Sequence, residues 1–466
     1  MINKAIEPIS FIKGLLNKGH SRSINAKKNI LASFLIKGGN IAISLILVPI
    51  TIHYIKPTQY GIWMTLSSII GWFGFFDIGL GNGLRNKFAE ALAKGEHEMA
   101  RIYVSTTYAI LTIIIAIALV LFFCINPFLN WSKILNTPSD MAGELSTLAM
   151  IVFVFFSVRF VLQLITTILM ADQQPAKSSL FNFYGNVFSL LIIFILTKTT
   201  TGNLIYLGLG LGCTPVLVLT ASTLWFYAHR YKRYAPSFRY VQFKHARHLM
   251  GLGVKFFILQ IAVIVLYETS NIIIAQLFGP AEVTPYNIAY KYFGVIPMIF
   301  GIIMTPFWSA FTEAWVTKDF VWIKSTMKKL DLLSLGLTVV TLLMLAFSHY
   351  IFRIWVGRDV NVPLSISVVL AAYFIINARN MIYIYFLNGI GKVKLQLYSG
   401  VIGMIVNIPL AIFFGKQLGV AGVILSTVIL NGINMIWTVI QYNKIINNTD
   451  SGGAGINCTA LQGAIP

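Results

Sequence analysis

Carboxylates are scarce in this chain. Its 466 residues include 15 Asp and Glu against 35 Lys and Arg, and charged residues make up only 11% of the whole. A soluble domain carries about a quarter charged residues, so this composition excludes an ordinary water-soluble fold and points to lipid as the solvent. Cysteine is scarcer still. Cys124 and Cys213 lie in apolar runs and Cys458 near the C-terminus, which gives neither a metal-ligand spacing nor a disulfide framework. His245 and His248 sit in a basic loop without acidic or thiol partners, so they form no metal motif and none is expected. There is no Walker lysine motif. The run LGLGLG (207–212) follows no strand and lies inside an apolar stretch, where close helix packing accounts for its glycines. The carboxylates in or beside the expected outer loops, Asp140, Glu144, Glu282 and Asp359, form no close pair in sequence. That argues against a membrane-embedded glycosyltransferase or polymerase, which needs acidic groups as base or metal ligands.

Long apolar runs are abundant. The chain is 57% hydrophobic with a mean hydropathy of +0.77. Stretches of about 20 apolar residues, the length needed to cross about 30 Å of hydrocarbon, fall near 29–53, 60–84, 104–126, 145–170, 178–197 and 203–228. A second set falls near 249–275, 285–311, 330–352, 363–387, 395–414 and 418–442. The expected fold is an all-α polytopic membrane protein of about twelve spans in two six-helix lobes, 29–228 and 249–442. A basic leader (1–28), a basic linker (229–248) and a polar, Gly-rich tail read as disordered (443–466) complete it. The first long run continues as a full span, so no cleavable signal peptide is read.

The net charge of +20 does not imply nucleic acid, because no basic domain with interleaved exposed aromatics exists. Lys and Arg fall instead in short loops. With the N-terminus inside, cytoplasmic segments hold 24 of them and outer loops six, a bias that places both termini in the cytoplasm. The basic loops face anionic lipid head groups.

Four segments carry a family resemblance: YGIWMTL (60–66), FFDIGLGNGLRNKFAEALAKGE (75–96), LFGPAEVTPYNIAYK (277–291) and FLNGIGKVKLQ (386–396). With the span count and spacing, the chain resembles the Wzx-type polysaccharide (O-antigen) flippases of the MOP exporter superfamily, which also holds the MATE drug exporters and the lipid II flippases. The resemblance implies two six-helix lobes around a central cavity. It also implies alternating access that moves polyprenyl-pyrophosphate-linked oligosaccharide from the inner to the outer leaflet of a bacterial inner membrane. A monomer working beside a polysaccharide polymerase and other assembly proteins is expected, with no cofactor beyond H+ or Na+ coupling. A MATE-like ion-coupled exporter of small molecules is the alternative.

Ionised groups at membrane depth are costly and usually face a cavity or a partner. Five cations lie within the expected spans: Lys37, Arg159, Lys255, Lys291 and Arg379. The two acids assigned to spans are Asp77 and Glu268, which leaves a formal surplus of three positive charges. A pyrophosphate would supply the missing anion, with Arg able to grip it bidentately. For some of these residues a second reading stands beside the first. Lys255 is close enough to the interface to snorkel, and Lys291 and Glu268 sit at similar depth and can neutralise each other. Asp77 and Glu268 are the candidates for ion coupling, although Asp77 also has a helix end and Arg85 as local rivals. The Gly-rich turn of 75–96 suggests a phosphate cradle, but its position at the end of span two assigns it to closing and orienting the cytoplasmic side.

Overall fold

A computed structural model describes residues 21–77, 80–172, 174–246 and 268–450. All regular structure among them is helical. The chain divides into two units, Met1–Lys291 with Ile351–Val362, and Tyr292–Tyr350 with Pro363–Pro466.

In the first unit α1 spans Ser21–Ile55, α2 Pro57–Gly71, α3 Leu80–Ala93, α4 His97–Ile125 and α5 Trp131–Leu135. Then come α6 (Ala142–Leu162), α7 (Leu164–Ala171), α8 (Pro175–Thr199) and α9 (Leu204–Ala228). Helical residues 268–278 follow, then α10 (Val283–Phe293), which belongs to this unit up to Lys291. Its core gathers Leu80, Leu84, Phe88 and Ala91 of α3, Leu111 and Ile115 of α4, Ile165, Ile168 and Leu169 of α7, and Phe226 of α9. The α3 positions recur every three or four residues, the period of one helix face, and the opposite side leaves Arg85 and Asn86 exposed. At the far end of α3, Glu90 takes both Lys87 (2.8 Å) and Lys94 (2.6 Å), which hold its carboxyl at about 2. Polar side chains link helices elsewhere, as is common between membrane helices: half-buried Asn186 of α8 donates to Asn40 of α1 at 3.1 Å, and buried Ser189 meets buried Thr214 of α9 at 2.5 Å.

The second unit takes α11 (Val295–Val316), α12 (Phe320–Trp355) up to Tyr350, α13 (Leu364–Gly389), α14 (Lys394–Leu418) and α15 (Val420–Asp450). Its core is Phe300, Met304 and Phe311 of α11, Ile323 and Met327 of α12, Ile382 and Phe386 of α13, and Ile446 of α15. Thr438 of α15 donates to Asn380 of α13 (2.9 Å), and Ser426 of α15 to Asn407 of α14 (3.0 Å).

Ten helices among the described residues are long and apolar enough to cross a membrane. The twelve expected spans differ from these in two places. The seventh, 249–275, lies mostly outside the described residues, as does Lys255. The second is no single helix. α2 ends after 15 residues at Gly71, a 3-10 segment runs Trp72–Asp77, and α3 starts at Leu80. Glycines at 71, 74, 79, 81 and 83 lower helix propensity there.

The polar tail is also shorter than expected. α15 runs through Asn443 to Asp450, because Ile446 is buried in the core with Tyr442 and Ile445 packed beside it. Residues 1–20 of the leader and 451–466 of the tail lie outside the described residues.

Close packing inside the first unit fixes one glycine. A Cβ at Gly61 of α2 would stand 1.7 Å from the Pro280 carbonyl oxygen, and neither backbone can yield cheaply. Gly61→Ala should lower stability by about 3 kcal/mol, read as thermal unfolding of the purified protein. Gly143→Ala, with nothing within 4 Å of the new Cβ, should leave it unchanged.

Candidate functional site

The interruption of the second span is matched by one in α6–α7, where a turn at Gln163 separates the two helices. Irregular backbone at membrane depth is tolerated where protein buries it or where it lines a cavity. Here it lines one. A cavity of about 350 Å³ is bounded by Gly74 and Gly81 from the break, Arg85 of α3, and Gln163, Thr166 and Thr167 around the turn. Apolar Leu111, Phe160, Leu164 and Met170 complete the wall. Arg159 lies four residues before Gln163, hence about 6 Å up the same helix face. Arg85 and Arg159 are both exposed, and neither makes an ion pair among the described residues. Hydroxyls, an amide and two arginines in this arrangement can surround an anion with charge-assisted hydrogen bonds.

The segment 75–96 therefore does more than shape a helix end, since Gly81 and Arg85 belong to the wall. From the sequence Arg85 stands only as a neighbour of Asp77, and Gln163, Thr166 and Thr167 are not among the candidates. The glycine run was a signal for Arg85. For Gln163 and the threonines there was none, because a neutral polar residue inside an apolar run does not announce a helix break.

The other candidates scatter. Lys37 is half-buried on α1 and makes no ion pair among the described residues. Lys291 lies in the last turn of α10 with its Nζ 5.9 Å from the centre of the Tyr60 ring, a cation–π contact. Asp77 falls in the 3-10 segment. Glu268 is hydrogen-bonded to Ser68 of α2, and its carboxyl would stand 3.7 Å from a Cβ placed on Gly71. Ser68 also accepts from Asn271 (2.7 Å), whose carbonyl accepts from Asn287 of α10 (2.7 Å). Glu268 thus opens a buried polar chain through Ser68, Asn271 and Asn287. Among the described residues no ion pair joins it to Lys291.

Arg379, in the second unit, has a carboxylate nearby that the charge count from the sequence left out. Its Nε is 3.9 Å from Asp331 of α12, whose other oxygen accepts from Tyr383 at 3.2 Å. The expected span there starts at 330, and Asp331 is not among the acids assigned to membrane depth from the sequence. α12 begins ten residues earlier, so Asp331 stands about 16 Å along it and Arg379 about 15 Å from the end of the neighbouring antiparallel α13. The pair is loose, with the Arg379 side chain 57% exposed.

Comparison with known proteins places these features in a family. A polysaccharide biosynthesis protein family model matches residues 26–310, and a MatE model matches residues 256–413. A "Putative O-antigen transporter" of Salmonella typhimurium is 23% identical over 438 residues, covering 91% of this chain and 97% of its own. A "Putative O-antigen export protein" of Yersinia pseudotuberculosis is 19% identical over 360 residues, 74% of this chain and 79% of its own. Among solved structures, an inward-facing multidrug-resistance MATE transporter of the MOP superfamily has a TM-score of 0.69 at 13% identity. The similarity covers 91% of this chain and 96% of that one.

The polar chain gives a direct test. Asn271→Ala leaves Ser68 and Asn287 short of a buried partner and should cost about 2 kcal/mol, read by thermal unfolding. An unchanged transition would mean that the chain contributes nothing to stability.

Proposed function

We propose that the protein is a lipid-linked glycan flippase, starting from the fact that the chain belongs to the polysaccharide biosynthesis protein family and is a multi-pass membrane transporter with a MATE-like fold. In this reading its substrate is a polyprenyl-pyrophosphate-linked oligosaccharide. The protein carries it from the inner to the outer leaflet of a bacterial inner membrane by alternating access, with both termini cytoplasmic. It performs no covalent chemistry.

The observation that carries the reading is the pair Arg85 and Arg159. Both are exposed, without a carboxylate partner among the described residues, on the wall of a polar cavity and one turn beyond it. An exporter of cations would be better served by free acidic groups, whereas Asp331 and Glu268 are both engaged. A pyrophosphate offers several oxygens to two guanidinium forks while its polyprenyl tail stays in lipid. Lys37, Lys255, Lys291 and Arg379 are further candidates for contact with that anion along the route. Ion coupling, by H+ or Na+, falls to Asp77, Glu268 and now Asp331, the ionisable acids assigned to membrane depth.

Arg159→Gln and Arg85→Gln should each lower glycan export in cells at least ten-fold while the protein still inserts at wild-type levels. Lysine at either position should restore only part of it, since a point charge replaces the fork. Wild-type export by both glutamine variants would overturn the assignment. Asp331→Asn, which removes the carboxylate beside Arg379, should change export without changing the amount inserted.

A further inference from the structure

The linker after α9 was expected only to join two lobes, yet residues 229–246 are bound along the first turns of α4. Arg230 pairs with Asp172 at 2.8 Å, and the Tyr231 hydroxyl donates to the same carboxylate at 2.7 Å. His97 meets the Tyr234 hydroxyl at 2.6 Å. Arg101 donates to the Ala235 carbonyl and lies 4.2 Å from the centre of the Tyr240 ring. The backbone N–H groups of Ser237 and Gln242 donate to Ser105 and Thr106.

A segment held at so many points has no evident reason to show apolar rings to water, but it does: Phe238 is 97% exposed and Phe243 57%. Between the strap and α4 runs a groove of about 630 Å³, lined mainly by Tyr108, Ala109, Ile113, Phe238, Val241 and Phe243. Ile113 continues into Ile117, Val120 and Leu121, large apolar side chains left exposed along α4, the surface that hydrocarbon covers in a spanning helix. The strap holds no carboxylate from 229 to 246. Its Lys232, Arg233, Arg239 and Lys244 are exposed and make no ion pair among the described residues.

We propose that this strap and α4 form a binding site for an anionic phospholipid of the cytoplasmic leaflet, one acyl chain in the groove and the phosphate on Arg239 and Lys244. The leaflet assignment rests on the orientation proposed above. The charge argues for the occupant: a zwitterionic lipid offers these cations no net attraction, while an anionic head group does. The strap's exposed rings then lie at the level where aromatic side chains anchor membrane proteins.

Native mass spectrometry of the full-length protein in detergent tests this with phosphatidylglycerol, phosphatidylcholine of the same acyl chains, and undecaprenyl phosphate. Wild-type protein should retain phosphatidylglycerol about ten-fold better than phosphatidylcholine. Arg239→Gln with Lys244→Gln, both on exposed side chains, should level the two at an unchanged melting temperature. Ala109→Phe, which fills the groove, should reduce both. Equal retention of the two phospholipids by wild-type protein, or wild-type retention by the charge variant, overturns the proposal. So does undecaprenyl phosphate displacing phosphatidylglycerol, which would make the groove a site for the substrate's tail. If Ala109→Phe does not fold, the charge variant still decides. Absence of glycolipid transfer by wild-type protein that still retains phosphatidylglycerol would count against the flippase reading and leave this site standing.

Discussion

Hydrocarbon cannot hydrogen-bond, and most of this structure follows from that. A backbone amide or charge placed in it must find a partner inside the protein or a cavity to face. Most of the ten candidate spans among the described residues satisfy the rule by closing their own backbone bonds. The second span and the α6–α7 span do not, and their breaks are placed where Gly74, Gly81, Gln163 and Thr166 line a polar cavity. The glycines that make the break thus also open the wall beside Arg85.

The same constraint sorts the buried and half-buried polar groups. Lys291 has an aromatic face, Glu268 a chain of hydroxyl and amide groups, and Arg379 a carboxylate with a tyrosine behind it. Each of these can be read as structure without invoking a ligand. Arg159 cannot be read so easily. It lies within α6, exposed and without an ion pair among the described residues. A cation in that position is costly unless something anionic visits it, which is why the functional reading rests more on Arg159 and Arg85 than on the whole set of membrane cations.

Much of the fold was legible because length and apolarity decide membrane spans with little competition from other effects. The sequence places ten of the spans where helices stand. What it hid was hidden for physical reasons. A Gly-rich apolar stretch such as 60–84 has the hydropathy of a span, and hydropathy does not register that α2 stops at Gly71. Asp331 stands where the apolar run 330–352 starts, while α12 begins earlier as an amphipathic turn with Ile323 and Met327 in the core, which carries Asp331 well into the helix. The linker's docking onto α4 depends on main-chain donors meeting Ser105 and Thr106, and hydroxyls spaced along a helix carry no sign of what will land on them. Of the site, Arg159 was legible as an isolated cation in an apolar run. Its neighbours Gln163, Thr166 and Thr167 were not.

The central claim is that the protein moves an anionic glycolipid and not a cationic small molecule. Purified protein in sealed vesicles separates the two, with a polyprenyl-pyrophosphate-linked glycan in one preparation and a cationic dye in another. The account predicts protein-dependent transfer of the glycolipid between leaflets and no dye efflux. Dye efflux without glycolipid transfer would contradict it.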